Sequence, residues 1–313
     1  MTHDLSATQA VVIIGGANMD IVAHTDTRLR LQDSNPGHIH CCPGGVARNV
    51  AENLARLGAD TRFIGAVGDD VFGQSLSTAT RAAGVNVAGL QTLAGQRTAT
   101  YLSLHGPDGD MSVALNDMAI LECVTPDGLA QHTALLHAAA CVVLDCNLAA
   151  AALAWLLHQP SAAVFVDGVS VAKCQRITPW LSRIHTLKVN AMEAQALTDM
   201  HVPDLASAEQ AALRLHHLGV ANVVVSLGAQ GLAWCNAAGQ GGQRPPGSCK
   251  VVNTSGAGDA LLAGLVYSHL LGQPLAQAVQ TAMACAEITL GSPFANHPQL
   301  SSALLSAQLQ MQL

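Results

Sequence analysis

The chain has 313 residues, half of them hydrophobic but only 3% aromatic, and a formal net charge of −7. That length can bury a large core of Ala, Leu and Val, and the acidic balance argues against a nucleic acid polymer as partner. No apolar run reaches the roughly 18 residues of a membrane span, and Met1-Thr2-His3-Asp4-Leu5 lacks the basic start and apolar run of a signal peptide. Nine cysteines, an odd number, fall mostly in apolar runs such as Ala140-Cys141-Val142-Val143. This predicts reduced, buried thiols and a cytoplasmic protein. Cys41 and Cys42 with His38 and His40 follow no zinc-site spacing.

Residues 11–15 form a buried-type strand that runs into Gly15-Gly16-Ala17-Asn18-Met19-Asp20. At the carboxyl edge of such a strand, Asn18 and Asp20 either bond sugar hydroxyls or close an Asx turn. Residues 21–42 are short, polar-punctuated and extended, and are predicted as strands leaving the main sheet. Pro43-Gly44-Gly45 opens a helix with Val46, Val50, Leu54 and Leu57 on one face, a stop at Gly58, and Asn49 one turn in. A strand over 61–68 and a helix over 70–83 follow. Segments 98–104 and 111–115 flank Gly106-Pro107-Asp108-Gly109, a hairpin signature that with residues 21–42 makes a small separate sheet.

From about residue 126 helix and strand alternate: helix 126–137, strand 141–145, helix 149–157, strand 163–167, helix 206–218 and strand 222–226. This predicts a parallel sheet with right-handed crossovers and helices on both faces. Asp145 and Asn147, Asp167, Lys188 and Asn190, and Ser226 sit at strand ends, where they outline one cleft. The glycine-spaced turn Ser226-Leu227-Gly228-Ala229-Gln230-Gly231 leads back into 232–235.

Residues 249–253 read as a short strand before Thr254-Ser255-Gly256-Ala257-Gly258-Asp259 and a long apolar helix. A helix start presents unpaired N–H groups, and glycines let a phosphate approach them. Asp259 is either a first-turn helix charge or the acceptor for the proton of an attacking hydroxyl, beside a held phosphoryl group. Leu261 stands where a dinucleotide fingerprint needs its third glycine, and no Gly-Lys-Ser/Thr completes a P-loop. Helix 275–290, packed on the sheet, and helix 301–313 close the chain.

Four motifs in order resemble those of the ribokinase-like (PfkB) carbohydrate kinases. They are Gly44-Gly45 with Asn49, Asn190-Ala191-Met192-Glu193, the 226–231 turn, and the 254–259 loop. The likeness runs from about residue 11 to 298. It implies an α/β, ribokinase-like three-layer fold with a mainly parallel central sheet and a small β-sheet lid. One kinase domain would span 1–313, with lid segments at about 21–42 and 97–117. It implies ATP with Mg²⁺ as cofactors and a small nucleoside or sugar as substrate. Asp259 would be the catalytic base, with the backbone N–H groups of Gly256, Ala257 and Gly258 as anion hole. Asn18, Asp20, Gly44, Gly45 and Asn49 would hold ribose hydroxyls. Asn190 and Glu193 would position the triphosphate and Mg²⁺ through water. Ser226, Gly228, Gly231, Thr254, Gly256 and Gly258 would line the nucleotide site, and the lid would pair in a homodimer.

Within the family, Asp33-Ser34-Asn35-Pro36-Gly37, Asn116-Asp117-Met118, Asp145-Cys146-Asn147 and Asp167-Gly168-Val169-Ser170 with Lys173 are similar to the branch acting on the 5′-hydroxyl of pseudouridine. Ser34, Asn35, Asn116, Asn147 and Lys173 are then the implied substrate contacts toward the base. The alternatives are a kinase for ribose, another sugar or another nucleoside, and a non-catalytic sensor, against which the intact 254–259 loop speaks. Three positions depart from the family pattern: Asn253 where Asp is frequent, which leaves potassium dependence open, Val189 where Pro is frequent, and Gly168 where the branch has Pro.

Overall fold

The computed structural model describes residues 10–159, 162–247 and 249–311. Residues 1–9, including the start discussed above, and Gln312 and Leu313 of the last expected helix lie outside them. β1 (Val11–Ile14) opens the chain, β2 (Asn18–Thr25) and β3 (Gly37–Gly44) follow, and α1 (Val46–Arg56) leads to β4 (Thr61–Gly68). Next come α2 (Val71–Ala82), β5 (Asn86–Leu93), and the hairpin β6 (Thr100–His105) and β7 (Met111–Asp117). The alternating part comprises α3 (Pro126–Ala130), α4 (Thr133–Ala138), β8 (Cys141–Asp145), α5 (Ala150–His158), β9 (Ala163–Asp167), α6 (Val171–Cys174) and β10 (Thr186–Asn190). It continues through α7 (Ala191–Thr198), α8 (Leu205–His217), β11 (Asn222–Ser226), β12 (Leu232–Cys235) and β13 (Gly241–Arg244). Three helices end the chain: α9 (Ala257–Leu270), α10 (Leu275–Leu290) and α11 (Ser302–Met311).

Nine strands form the central sheet in the order β13-β12-β11-β10-β9-β8-β1-β4-β5. Among the described residues all pairs from β11 to β5 are parallel, and β12 is antiparallel to both of its neighbours, β11 and β13. Both faces are buried, so adjacent residues of one strand serve two cores. Val12 and Ile14 of β1, with Val142 and Leu144 of β8, pack against α3 to α5, α7 and α8. Val11 and Ile13, with Cys141 and Val143, pack against α1, α9, α10 and α11. Period-two alternation inside a continuous apolar run is what a parallel strand covered on both sides requires. β3, β2, β6 and β7 form a second sheet of four strands. Among the described residues no helix is long and apolar enough to cross a membrane.

Local chemistry sets the element ends. Asp70 caps α2 by accepting from Gly73 N, and Thr125 caps α3 with Pro126 at the first helical position. Asn190 and Glu193 form a reciprocal capping box on α7.

Three expectations are corrected. Residues 249–253 form no strand: Val251 and Val252 are exposed, and the N–H groups of Val252 and Asn253 bond to the carbonyl of Leu290. The 126–137 helix is two helices broken at Gln131-His132. α10 packs chiefly on α9 rather than on the sheet, and Gly264 lets them close, since a Cβ there would lie 2.5 Å from Ala282 Cα. β5 and β13 went unforeseen; β13 carries the dull sequence Gly241-Gly242-Gln243-Arg244 and is an edge strand specified by pairing to β12.

Candidate active site

The carboxyl ends of β1, β8, β9, β10 and β11 meet the starts of α1 and α9. In the 254–259 loop Gly256 adopts φ +77, and a Cβ there would lie 1.9 Å from the Ala295 carbonyl oxygen, so only glycine fits. This turn aims the first N–H groups of α9 at the cleft and puts Asp259 in its first turn, 9% exposed. Burial pushes the Asp259 carboxyl up to about 7, helped by Asp167 and Asp145 and opposed by Asn49 and Lys188. Asn49 Nδ2 donates to Asp259 Oδ2 at 2.7 Å.

Beside it, Lys188 Nζ bonds Asp167 Oδ2 at 2.9 Å in a buried pair. Burial alone would lower the Lys188 pKa, but Asp167 and Asp259 outweigh it and raise it. Nζ lies 2.8 Å from where a Cβ on Gly258 would stand. A permanent cation therefore sits against the glycine loop. In sequence Lys188 shows only as a strand-end residue with no assigned role; its one local signal is a lysine set between Leu187 and Val189 in a buried strand.

On one side of Asp259 lies a cavity of about 570 Å³ whose lining includes Asn190, Ser226, Gly228, Gly231, Thr254 and Gly258. The residues expected at the nucleotide are thus brought together, with Gly256 capping the adjoining helix. Leu232, Val251, Met283, Ala286 and Leu290 make its apolar wall, which suits a flat heterocycle. Glu193 is buried, and its two oxygens accept from Asn190 N and Nδ2 at 2.9 and 2.7 Å. Burial raises its pKa. A Cβ on Gly168 would come within 2.8 Å of Glu193 Oε2, so glycine at this departure from the family pattern makes room for the carboxylate.

On the other side, Asn18 Nδ2 donates to Asp20 Oδ1 at 2.5 Å, and burial raises the Asp20 pKa against Asn18 and Arg48. A Cβ on Gly44 would lie 2.2 Å from Asp20 Oδ2, and Gly45 has φ +101 against the Gly16 carbonyl. Asp145 is fully occupied as a brace: its oxygens accept from the backbone N–H groups of Gly16, Ala47 and Asn147 at 2.9, 3.0 and 2.9 Å. It welds β1, α1 and the end of β8 together. Lys173 Nζ donates to Asn147 Oδ1 at 2.6 Å, which leaves Nδ2 facing Gly16.

The small sheet aligns Asp20, Tyr101 and Asn116 across β2, β6 and β7. Asn116 also borders a second crevice of about 410 Å³ with Arg97, Thr98 and Asp117. Ser34 and Asn35 stand apart, in the exposed connection between β2 and β3. The Asn35 side chain closes that loop on Arg30 N and O and Asp33 O. Arg48 and Asn296 were missed entirely. Both are buried and bonded to each other at 2.7 Å, 248 residues apart, a juxtaposition with no local signal.

The model of the pfkB family of carbohydrate kinases matches residues 8–302. The chain is 40% identical over 294 residues to pseudouridine kinase of Escherichia coli K12, covering 94% of each. Among solved structures, a carbohydrate kinase from Agrobacterium tumefaciens is 28% identical with a TM-score of 0.83 over 97% of both chains. Ribokinase of Arabidopsis thaliana complexed with ribose and ATP is 21% identical with a TM-score of 0.86, over 97% of this chain and 99% of that one.

Proposed function

We propose, for a chain that belongs to the pfkB family of carbohydrate kinases and is a phosphotransferase with an alcohol group as acceptor, that the acceptor is pseudouridine and the product pseudouridine 5′-phosphate. The observation that carries the mechanism is the position of Asp259. Its neighbour Gly258 lines the 570 Å³ cavity, while its own carboxylate bonds Asn49 on the sugar side. One group therefore faces both reactants.

In this reading ATP occupies the cavity, with its base against Val251, Met283 and Leu290. Asn18, Asp20, Gly44, Gly45 and Asn49 hold the ribose. Asp259 takes the 5′-hydroxyl proton as that oxygen bonds the γ-phosphorus and the bond to the β-phosphate oxygen breaks, releasing ADP. The N–H groups of Gly256, Ala257 and Gly258, with Lys188, stabilise the phosphoryl oxygens. Oxygen donors suit Mg²⁺, and each Glu193 oxygen keeps a second lone pair, so Glu193 and Asn190 would hold the ion through water. When bound it would neutralise phosphate charge. Asn147, oriented by Lys173, and Asn116 are the side chains this reading assigns to the base. Ser34 and Asn35 would join them only if their loop folds inward.

The small sheet acts as the lid, excluding water that would compete as acceptor. Its face opposite the Asp20 row carries Ile39, Val113 and Leu115, exposed by 70, 46 and 66%. This apolar face supports a homodimer through the lid. Asn253 Nδ2 donates to Pro293 O at 3.0 Å and its Oδ1 accepts from Ser255 N. The amide ties these segments directly, and equal rates are expected in potassium and sodium buffers.

The test is ATP consumption with Mg²⁺ against pseudouridine, uridine, adenosine, ribose and fructose in parallel. A clear preference for pseudouridine is expected. Preference for a bare sugar would keep Asp259 and discard the base contacts.

A further inference from the structure

Arg48 is 1% exposed and gathers acceptors from three parts of the chain. Nε donates to Gly44 O at 2.9 Å and Nη2 to Pro43 O at 3.2 Å, the last two residues of β3. Nη1 meets Glu52 Oε2 at 2.6 Å. Nη2 also donates to Asn296 Oδ1 at 2.7 Å and to Asn49 Oδ1. Asn296 Nδ2 returns to Asn49 O at 2.9 Å, and Arg56 Nη1 reaches Pro298 O at 2.5 Å. The 295–298 segment thereby pinned to α1 is the one against which Gly256 is packed.

An asparagine amide can present either a donor or an acceptor, whereas a guanidinium only donates. With Arg48 on Oδ1, the Asn49 amide has one orientation, Nδ2 toward Asp259. Without Arg48, Asn49 can turn Oδ1 to the carboxylate, which disfavours its ionised form.

We propose that Arg48 is a positioning residue for the transfer reaction: one buried guanidinium orients Asn49 onto Asp259 and ties the end of the small sheet, through Pro43 and Gly44, to that carboxylate. This rests on the reading of Asp259 as the base. The other charged groups facing Asp259 are Asp145, Asp167 and Lys188 from the central sheet. Glu52 is held by Arg48 and Arg56, and Glu287 of α10 accepts from Gln308 instead. His297, next to Asn296, has its pKa lowered by burial and by Arg56. In Arg48→Gln, Glu52 loses one partner and keeps Arg56, while Asn296→Ala leaves both its ion pairs in place.

The experiment compares wild type, Arg48→Gln and Asn296→Ala in the pH dependence of kcat/KM for pseudouridine. The acid limb of Arg48→Gln is expected to move up by about half to one unit, so that the defect is several-fold larger at pH 6.5 than at pH 9. Asn296→Ala moves the same way by less, and it carries the test should Arg48→Gln fail to fold. A second readout needs no turnover: the melting-temperature gain from Asp259→Asn begins at the unfolded-state carboxyl value in any background and levels off at the folded Asp259 pKa. Levelling at a higher pH is expected in the Arg48→Gln background than in wild type. Superimposable limbs and equal levelling points would overturn the proposal. Wild-type turnover by Asp259→Asn would instead overturn the base assignment while leaving the levelling comparison valid.

Discussion

Replacing Asp259 by Asn should abolish turnover and stabilise the protein, and the second effect is set by the burial that makes the first useful. The carboxyl titrates near 3.8 in an unfolded chain and is held at about 7 in the fold. Between these values the folded state binds the proton more tightly than the unfolded state does. Stability therefore falls as pH rises from about 4 to 7 and is flat above. A shift of that size corresponds to roughly 3–5 kcal/mol at pH 8, at about 1.4 kcal/mol per unit. Asparagine cannot ionise, keeps the shape and can still accept from Asn49 Nδ2. Asp259→Asn should match wild type near pH 4 and melt about 5 °C higher at pH 8, using the entropy scale of a chain this long. Calorimetry of the ligand-free protein at both pH values is the assay. Turnover should fall by at least 10²–10⁴, the usual contribution of a positioned base. A variant no more stable than wild type at pH 8 would refute the claim that this carboxylate is buried under strain.

Gly256→Ala adds a Cβ 1.9 Å from a backbone oxygen at φ +77; it should cost about 1–3 kcal/mol from backbone strain alone and lower kcat more than 100-fold, read by melting and turnover together. Lys188→Met leaves Asp167 buried without its partner, so a loss of about 3–5 kcal/mol is expected. Most of it should return in Lys188→Met/Asp167→Asn, while ATP affinity measured by calorimetric titration stays low in both. Ile39→Glu with Leu115→Glu charges the outer face of the small sheet; sedimentation is expected to give dimers for wild type and monomers for the variant, with no change in thermal unfolding of the central sheet.

Much of this protein was legible in its sequence because the relevant physics is local. Strands and helices follow from apolar period, the glycine turns from backbone that side chains would obstruct, and Asp259 from an acid placed at the positive end of a helix. The alternation after residue 126 was enough for a parallel sheet with polar residues gathered at its carboxyl edge. What local pattern overstated was the segment 249–253, whose valines suit a strand but find no partner strand, only the Leu290 carbonyl. Tertiary structure alone decided the roles that depend on distant partners. Asp145 looks like a cleft ligand, yet it is a brace because Gly16 and Ala47 arrive from elsewhere in the chain. Lys188 becomes a cation beside the glycine loop only when β10 lies next to β9. Arg48 reads as one more polar residue on α1 until folding brings Asn296 to it. Hydrogen bonds spanning such separations leave no periodic trace, since they are specified by where whole elements pack and not by their neighbours in sequence.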